Sequence, residues 1–284
     1  MTKRCLPALL LACLVQWLAI SAMAQEPGVA RQLLGRSVSS SAPPPLTLAE
    51  RRWLKHKQVL RLGTSAPDYP PFDINVSQHD YEGVSADFAG LVGEQLKIAL
   101  QVRLFATRNE AIAALHRGEI DLLGSANGYE AADPGLVMSL PYADDQPIIA
   151  TRAGHTRNAD DPLAGLTLSM VEHYLPPALI RQLFPQAHLQ LHSSTLGALS
   201  AVAFGRADAF IGDAISADYL IGKNYRETLQ ISHYVKPQRS SFGFALARDK
   251  ADMVLDERAL STPIPANLLP GDRSVVELGD VVEI

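Results

Sequence analysis

From Val59 onward the chain alternates short apolar runs with helical spacing, and that alternation confines it to an α/β architecture. The run at 59–63 reads as a strand and leads into a proline-rich loop at 67–71. Phe88, Leu91, Val92 and Leu96 then recur at helical intervals. Thr107 followed by Glu110 has capping-box spacing and opens a second helix through Ile112 and Leu115. Gly118 stops that helix, and residues 120–123 give the next strand. The same unit returns 87 residues later, where Ala201, Val202, Gly205 and Asp208 echo Ala114, Leu115, Gly118 and Asp121. Residues 166–170 supply the opening strand of the second half, and 178–183 its helix. Two α/β halves of this length predict two lobes with a cleft between them.

Ahead of this region the sequence changes character. Lys3 and Arg4, an apolar stretch over 6–20, and Ala22, Met23 and Ala24 before Gln25 predict a secretory signal peptide over residues 1–24. The apolar stretch is short for a membrane span, and Cys13 lies too early within it for a lipoprotein box. Both cysteines, Cys5 and Cys13, fall in this leader, so the remainder carries no thiol. Losing Lys3 and Arg4 takes the formal charge from −5 to −7, and the mildly acidic balance argues against nucleic acid or anionic membranes as partners. Residues 25–46 are rich in serine, proline and small residues and predict an extended tether. Thr47 and Glu50 then cap a helix containing Trp53 and Leu54.

Several of these segments together resemble a known family. LRLGT at 60–64 followed by DYPPF at 68–72, GVSADF at 83–88, GEIDLL at 118–123, GRADAFIGD at 205–213 and SFGFAL at 241–246 are similar to the family 3 periplasmic solute-binding proteins. The helix at 47–57, together with NGYE at 127–130 and YADDQP at 142–147, resembles the Venus-flytrap sensing domains of Bvg-type sensor histidine kinases. The resemblance implies a type II two-lobe fold with two hinge crossings. Lobe one would hold 58–147 and a return from residue 240, and lobe two 148–239, with hinges near Pro147 and at Arg239 and Ser240. No second apolar stretch or kinase motif follows, so a detached sensing domain is expected.

Candidate site residues follow from strand ends and from the resemblance. Tyr69 and Phe72, on the loop after the first strand, would form an aromatic wall for a ligand, or pack against lobe one. Ser125 and Asn127 sit where open α/β sheets bind ligands, though Gly124 and Gly128 also fit plain turn chemistry. The resemblance implies that Asp213 holds a ligand ammonium; it would equally serve as a helix N-cap. His173 and Tyr174 replace the small turn that usually opens the lobe-two helix, and His173 would make binding pH-sensitive. The family's carboxylate-binding arginine is missing from 127–133, which disfavours an ordinary α-amino acid and favours a neutral, aromatic or cationic ligand. No histidine has metal-ligand spacing, and no cofactor motif is present.

The expected function is non-catalytic capture of a small-molecule ligand, read by a membrane sensor kinase or an ABC transporter permease, in the periplasm and without membrane insertion once the leader is cleaved. The alternative from another class is an enzyme on the same fold, similar to cyclohexadienyl dehydratases, using Glu130, Glu172 or His173 as acid. An inert sensor fragment is the third. Beyond Lys250 the sequence carries Pro263, Pro265 and a turn signature at 268–272, which predicts a tail unlike the family's closing helix.

Overall fold

A computed structural model of the 284-residue chain describes residues 28–36, 45–154, 163–235 and 240–250. The expected signal segment and the tail from 251 lie outside the described residues. Two sheets organise the rest. The first has nine strands, and eight of them form a continuous path. Its centre is β2 (Val59–Ser65), flanked by β5 (Ala99–Phe105) and β6 (Leu122–Ala126), both parallel to it. β14 (Ser240–Ala247) pairs antiparallel with β6 on one side and with β7 (Leu136–Met138) on the other. The second sheet has the order β11 (His188–His192), β10 (Thr167–Val171), β12 (Ala209–Asp213), β9 (Pro147–Arg152), β13 (Leu229–Tyr234).

The chain passes between sheets twice. β8 (Ala143–Asp145) pairs with β14 in the first sheet, and two residues later Pro147 begins β9 in the second. The return runs from Val235, whose N–H donates to Pro147 O at 2.8 Å, to Ser240. This is the type II, Venus-flytrap architecture. Parallel strands in the two sheets are joined through helical crossovers, and those helices carry their own stops. α1 (Leu48–Lys57) is capped by Thr47, with the Glu50 side chain reaching back to the Thr47 N–H. α2 (Val84–Leu96) donates its first N–H groups to the carbonyls of Pro71 and Phe72, so the proline loop itself caps the helix. α3 (Arg108–Arg117) starts at Thr107, whose hydroxyl accepts from Glu110 N at 3.2 Å, and ends at Gly118 with φ 73°. The left-handed φ explains that glycine.

Residues 29–33 depart from the tether expected over 25–46. β1 (Val29–Leu33) lies between β5, antiparallel, and β4 (Asp80–Glu82), parallel. β3 (Ile74–Asn75) completes that edge. Gln32 N donates to His79 O at 2.6 Å and Leu34 N to Tyr81 O at 2.9 Å. The ladder groups of β4 and β5 need partners, and this short strand supplies them despite a composition that reads as linker.

The core is continuous across the cleft. Leu60, Leu62, Phe72 and Phe242 from the first lobe form one buried cluster with Leu168, Met170, Tyr174 and Ile211 from the second. A second cluster, including Ala198, Leu199, Val202 and Phe210, packs α6 (Thr195–Ala203) on the outer side of the second sheet. No helix among the described residues is long and apolar enough to cross a membrane.

Candidate ligand-binding cleft

A cavity of about 190 Å³ lies between the lobes. On one side, Ser65 ends β2 and Tyr69 follows it, Thr107 and Arg108 follow β5, and Ser125 and Asn127 flank the end of β6. On the other, Val171, Glu172 and His173 end β10 and Ser193 follows β11. Every one of these strands presents its carboxyl end. Open α/β sheets bind ligands at that edge, because the chain leaves the sheet there with its polar groups uncommitted.

Direct bonds cross the cleft. The Tyr69 hydroxyl donates to Asp213 Oδ2 at 2.6 Å. Asn127 Nδ2 donates to His173 O at 3.1 Å, and His173 Nε2 lies 3.2 Å from Asn109 Oδ1. The His173 ring meets the Tyr129 ring edge-on, with centroids 4.9 Å apart. At the hinge the Tyr174 hydroxyl donates to Asp145 Oδ2 at 2.6 Å, and Ala214 N to Asp145 Oδ1 at 2.9 Å. The lobes are therefore closed on each other.

Two carboxyls, Asp145 and Asp213, are buried together at this hinge. Burial pushes Asp145 up to about 7, and the neighbouring Asp213 charge adds to the shift. Burial also raises Asp213, against the opposing hydrogen bonds from Tyr69 and Ser216. Like charges this close resist joint ionisation. Tyr69 is pushed far above its usual value by burial and by Asp213, so it stays a donor.

Arg108 is the centre of the cavity's chemistry. Its side chain is buried, and its Nε donates to Glu130 Oε1 at 2.8 Å. Nη1 lies 3.5 Å from Ser125 Oγ, too far for a strong bond. Nη2 is buried without a hydrogen-bond partner on the protein. Burial works against the guanidinium charge, but Glu130 more than offsets it and the pKa is raised. Beside it, Ser125 is held at φ 45°, a conformation that costs a non-glycine residue on the order of 1–3 kcal/mol. Its N–H donates to Tyr142 Oη at 2.9 Å and its hydroxyl to buried Asp73, which fix the strained turn. Burial lowers the pKa of His173, and the Arg108 charge lowers it further. Among the described residues no group of three or more His, Cys, Asp or Glu could hold a metal ion.

Of the seven residues singled out from sequence, Tyr69, Ser125, Asn127 and His173 line the cavity and Phe72, Tyr174 and Asp213 do not. Phe72 is fully buried, stacked on Phe242 with centroids 4.0 Å apart. Tyr174 is likewise buried, with its hydroxyl spent on Asp145. Asp213 is fully buried and caps α7 (Ala214–Leu220), accepting from Ser216 N at 2.6 Å. Segment 127–133 carries no guanidinium, as read from the sequence, but Arg108 brings one to the cavity from another helix. Arg108 and Asp73 were not singled out from sequence. The signal available was position, since Arg108 immediately follows the helix cap at the carboxyl end of β5.

A family description matches residues 60–203: bacterial extracellular solute-binding proteins, family 3. That span is half of the chain. The chain belongs to this family. The virulence sensor protein BvgS of Bordetella parapertussis is 36% identical over 262 residues, covering 90% of this chain and 21% of BvgS. The chain thus spans about a fifth of that relative's length. The crystal structure of the Bordetella pertussis BvgS periplasmic domain matches with a TM-score of 0.72 at 33% identity, over 83% of this chain and 46% of that one. The B. pertussis BvgS VFT2 domain matches with a TM-score of 0.70 at 25% identity, over 76% and 93%. Family membership and the likeness to Bvg Venus-flytrap domains agree with the motifs at the first strand, the proline loop and the paired Gly–Asp turns.

Proposed function

We propose that the interlobe cavity captures a small molecule in the periplasm, and that lobe closure on it is read by a membrane sensor kinase. The observation that carries this reading is the convergence of five strand carboxyl ends on one interlobe cavity, with the Tyr69–Asp213 and Asn127–His173 hydrogen bonds joining the lobes. A ligand that contacts both walls stabilises the closed arrangement by its differential affinity for it. The family's extracellular description supports the location, and the sensor names of the similar chains favour a kinase over a transporter permease as partner. Of the three candidate acids, Glu130 is the one least suited to dehydration. Glu130 has both oxygens engaged, one by Arg108 and one by Asn127 N at 3.0 Å, so it offers no free oxygen for acid catalysis.

A thermal-shift screen of small metabolites against the purified protein tests this. A hit should stabilise the native chain, and Ser193→Trp, which places an indole at the exposed rim of the cavity, should remove the shift. An unchanged shift in that variant would move the site elsewhere.

A further inference from the structure

Two aspartates, one from each lobe, are buried side by side where the lobes meet. Asp145, on β8 of the first sheet, accepts from the Tyr174 hydroxyl at 2.6 Å and from Ala214 N at 2.9 Å, both in the second lobe. Asp213, at the end of β12 in the second lobe, accepts from the Tyr69 hydroxyl of the first at 2.6 Å and from Ser216 N at 2.6 Å. Asp213 is 0% exposed and Asp145 7%. No Lys, Arg or His among the described residues forms an ion pair with either carboxyl. Each tyrosine–aspartate bond thus joins the lobes through a buried carboxyl that has no cation to balance it. We propose that Asp145 and Asp213 form an acid-closed latch, in which one proton on the pair lets the lobes stay shut and its loss opens the cleft. The latch concerns the lobe equilibrium itself and needs no ligand in the cavity.

With one carboxyl protonated, the pair carries a single charge, met by two tyrosine hydroxyls and the N–H groups of Ala214 and Ser216. With both ionised, two like charges sit together out of water. Opening breaks the Tyr69–Asp213 bond and lets water reach the carboxyls, which relieves that cost. The other titratable groups nearby do not act in this sense. Tyr69 and Tyr174 are pushed far above their usual value by burial and by the aspartates, so both remain donors. Glu130 is held by Arg108 and Asn127 N, and Asp73 by Tyr81 and Ser125. Asp144 and Glu172 are exposed to water. His173 faces the same cleft with the opposite sign, since its protonation in acid would add a positive charge near Arg108 and loosen the contact. Asp145 lies at about 7 in the closed form, against about 3.9 for an aspartate in water. The closed-to-open ratio therefore falls by up to about tenfold per pH unit between roughly pH 4 and pH 7, and levels off above.

Small-angle scattering of the unliganded protein at pH 5 and pH 8 tests the latch. The radius of gyration should rise at pH 8 and return on re-acidification. Asp145→Asn, uncharged at that position, should keep the compact value at both. A radius that is unchanged between the two conditions, or larger in acid, overturns the proposal. So does an Asp145→Asn protein that expands as the native chain does. Tyr69→Phe lacks the hydroxyl that reaches Asp213 and should expand at lower pH than the native chain; expansion at the same or higher pH counts against the latch. Should Asp145→Asn not fold, the carbon-13 carboxyl shifts of the native protein decide. A midpoint for Asp145 near pH 7 supports the latch, and one below pH 5 overturns it. Because no ligand is used, failure here leaves capture in the cleft standing, and a metabolite screen without hits leaves the latch standing.

Discussion

The hinge carboxyls show how single residues set the molecule's response to pH. Asp145 is raised to about 7, first by burial and then by the Asp213 charge, against about 3.9 for an unperturbed aspartate. A carboxyl raised on folding holds its proton more tightly in the folded state. Its contribution is therefore fully present at acid pH, declines as pH rises through about 4 to 7, and is lost above that window. Other acids act in the opposite sense, since Arg61 and Lys57 lower Asp121 and His116 lowers Asp133 despite burial. The comparison with Asp145→Asn isolates the hinge. Denaturant unfolding should show the native chain losing roughly 2–4 kcal/mol relative to the variant between pH 4.5 and pH 8. Parallel pH profiles for the two proteins would show that Asp145 does not titrate in this way. None of this was visible from sequence, because Tyr174 and Asp145 are 29 residues apart, and Tyr69 and Asp213 144 apart. Their meeting depends on how the lobes close.

Elements were legible where local chemistry decides them. Thr47 with Glu50, Thr107 with Glu110, and the stop at Gly118 carry their own hydrogen bonds and left-handed turn, so spacing alone locates α1 and α3. β1 was not legible, since Val29 to Leu33 stands in a region of serine, proline and small residues and gains its order from β4 and β5. Arg108 was read only as part of a helix start, because its partner Glu130 lies 22 residues on, beyond the next strand. The β1 pairing has a direct consequence for hydrogen exchange. The amides of Gln32 and Leu34, bonded to His79 and Tyr81 carbonyls, should exchange far more slowly than an unstructured tether allows. Exchange of both at the free-peptide rate would show that the segment is a tether after all.

At the scale of the whole molecule, two sheets joined by two crossings bring the carboxyl ends of β2, β5, β6, β10 and β11 to one cavity. The repeated helix–glycine–strand unit foreshadowed that symmetry, and the family motifs placed the first-lobe loops. Phe72 is instead buried among lobe-one rings, Phe242 and Tyr142, while Tyr174 and Asp213 are bonded from the second lobe to Asp145 and Tyr69 of the first. The closed form joins the two lobes through one apolar cluster as well as through hydrogen bonds. A ligand held between the lobes touches both walls of this cavity, which makes its position the decisive observable. The most direct measurement is a map of backbone amide shifts in isotope-labelled protein on titration with a hit from the metabolite screen. The largest changes should fall at Ser65, Arg108, Ser125, Asn127, Glu172, His173 and Ser193, on both lobes at once. Shifts confined to one lobe, or centred away from these strand ends, would contradict capture between the lobes.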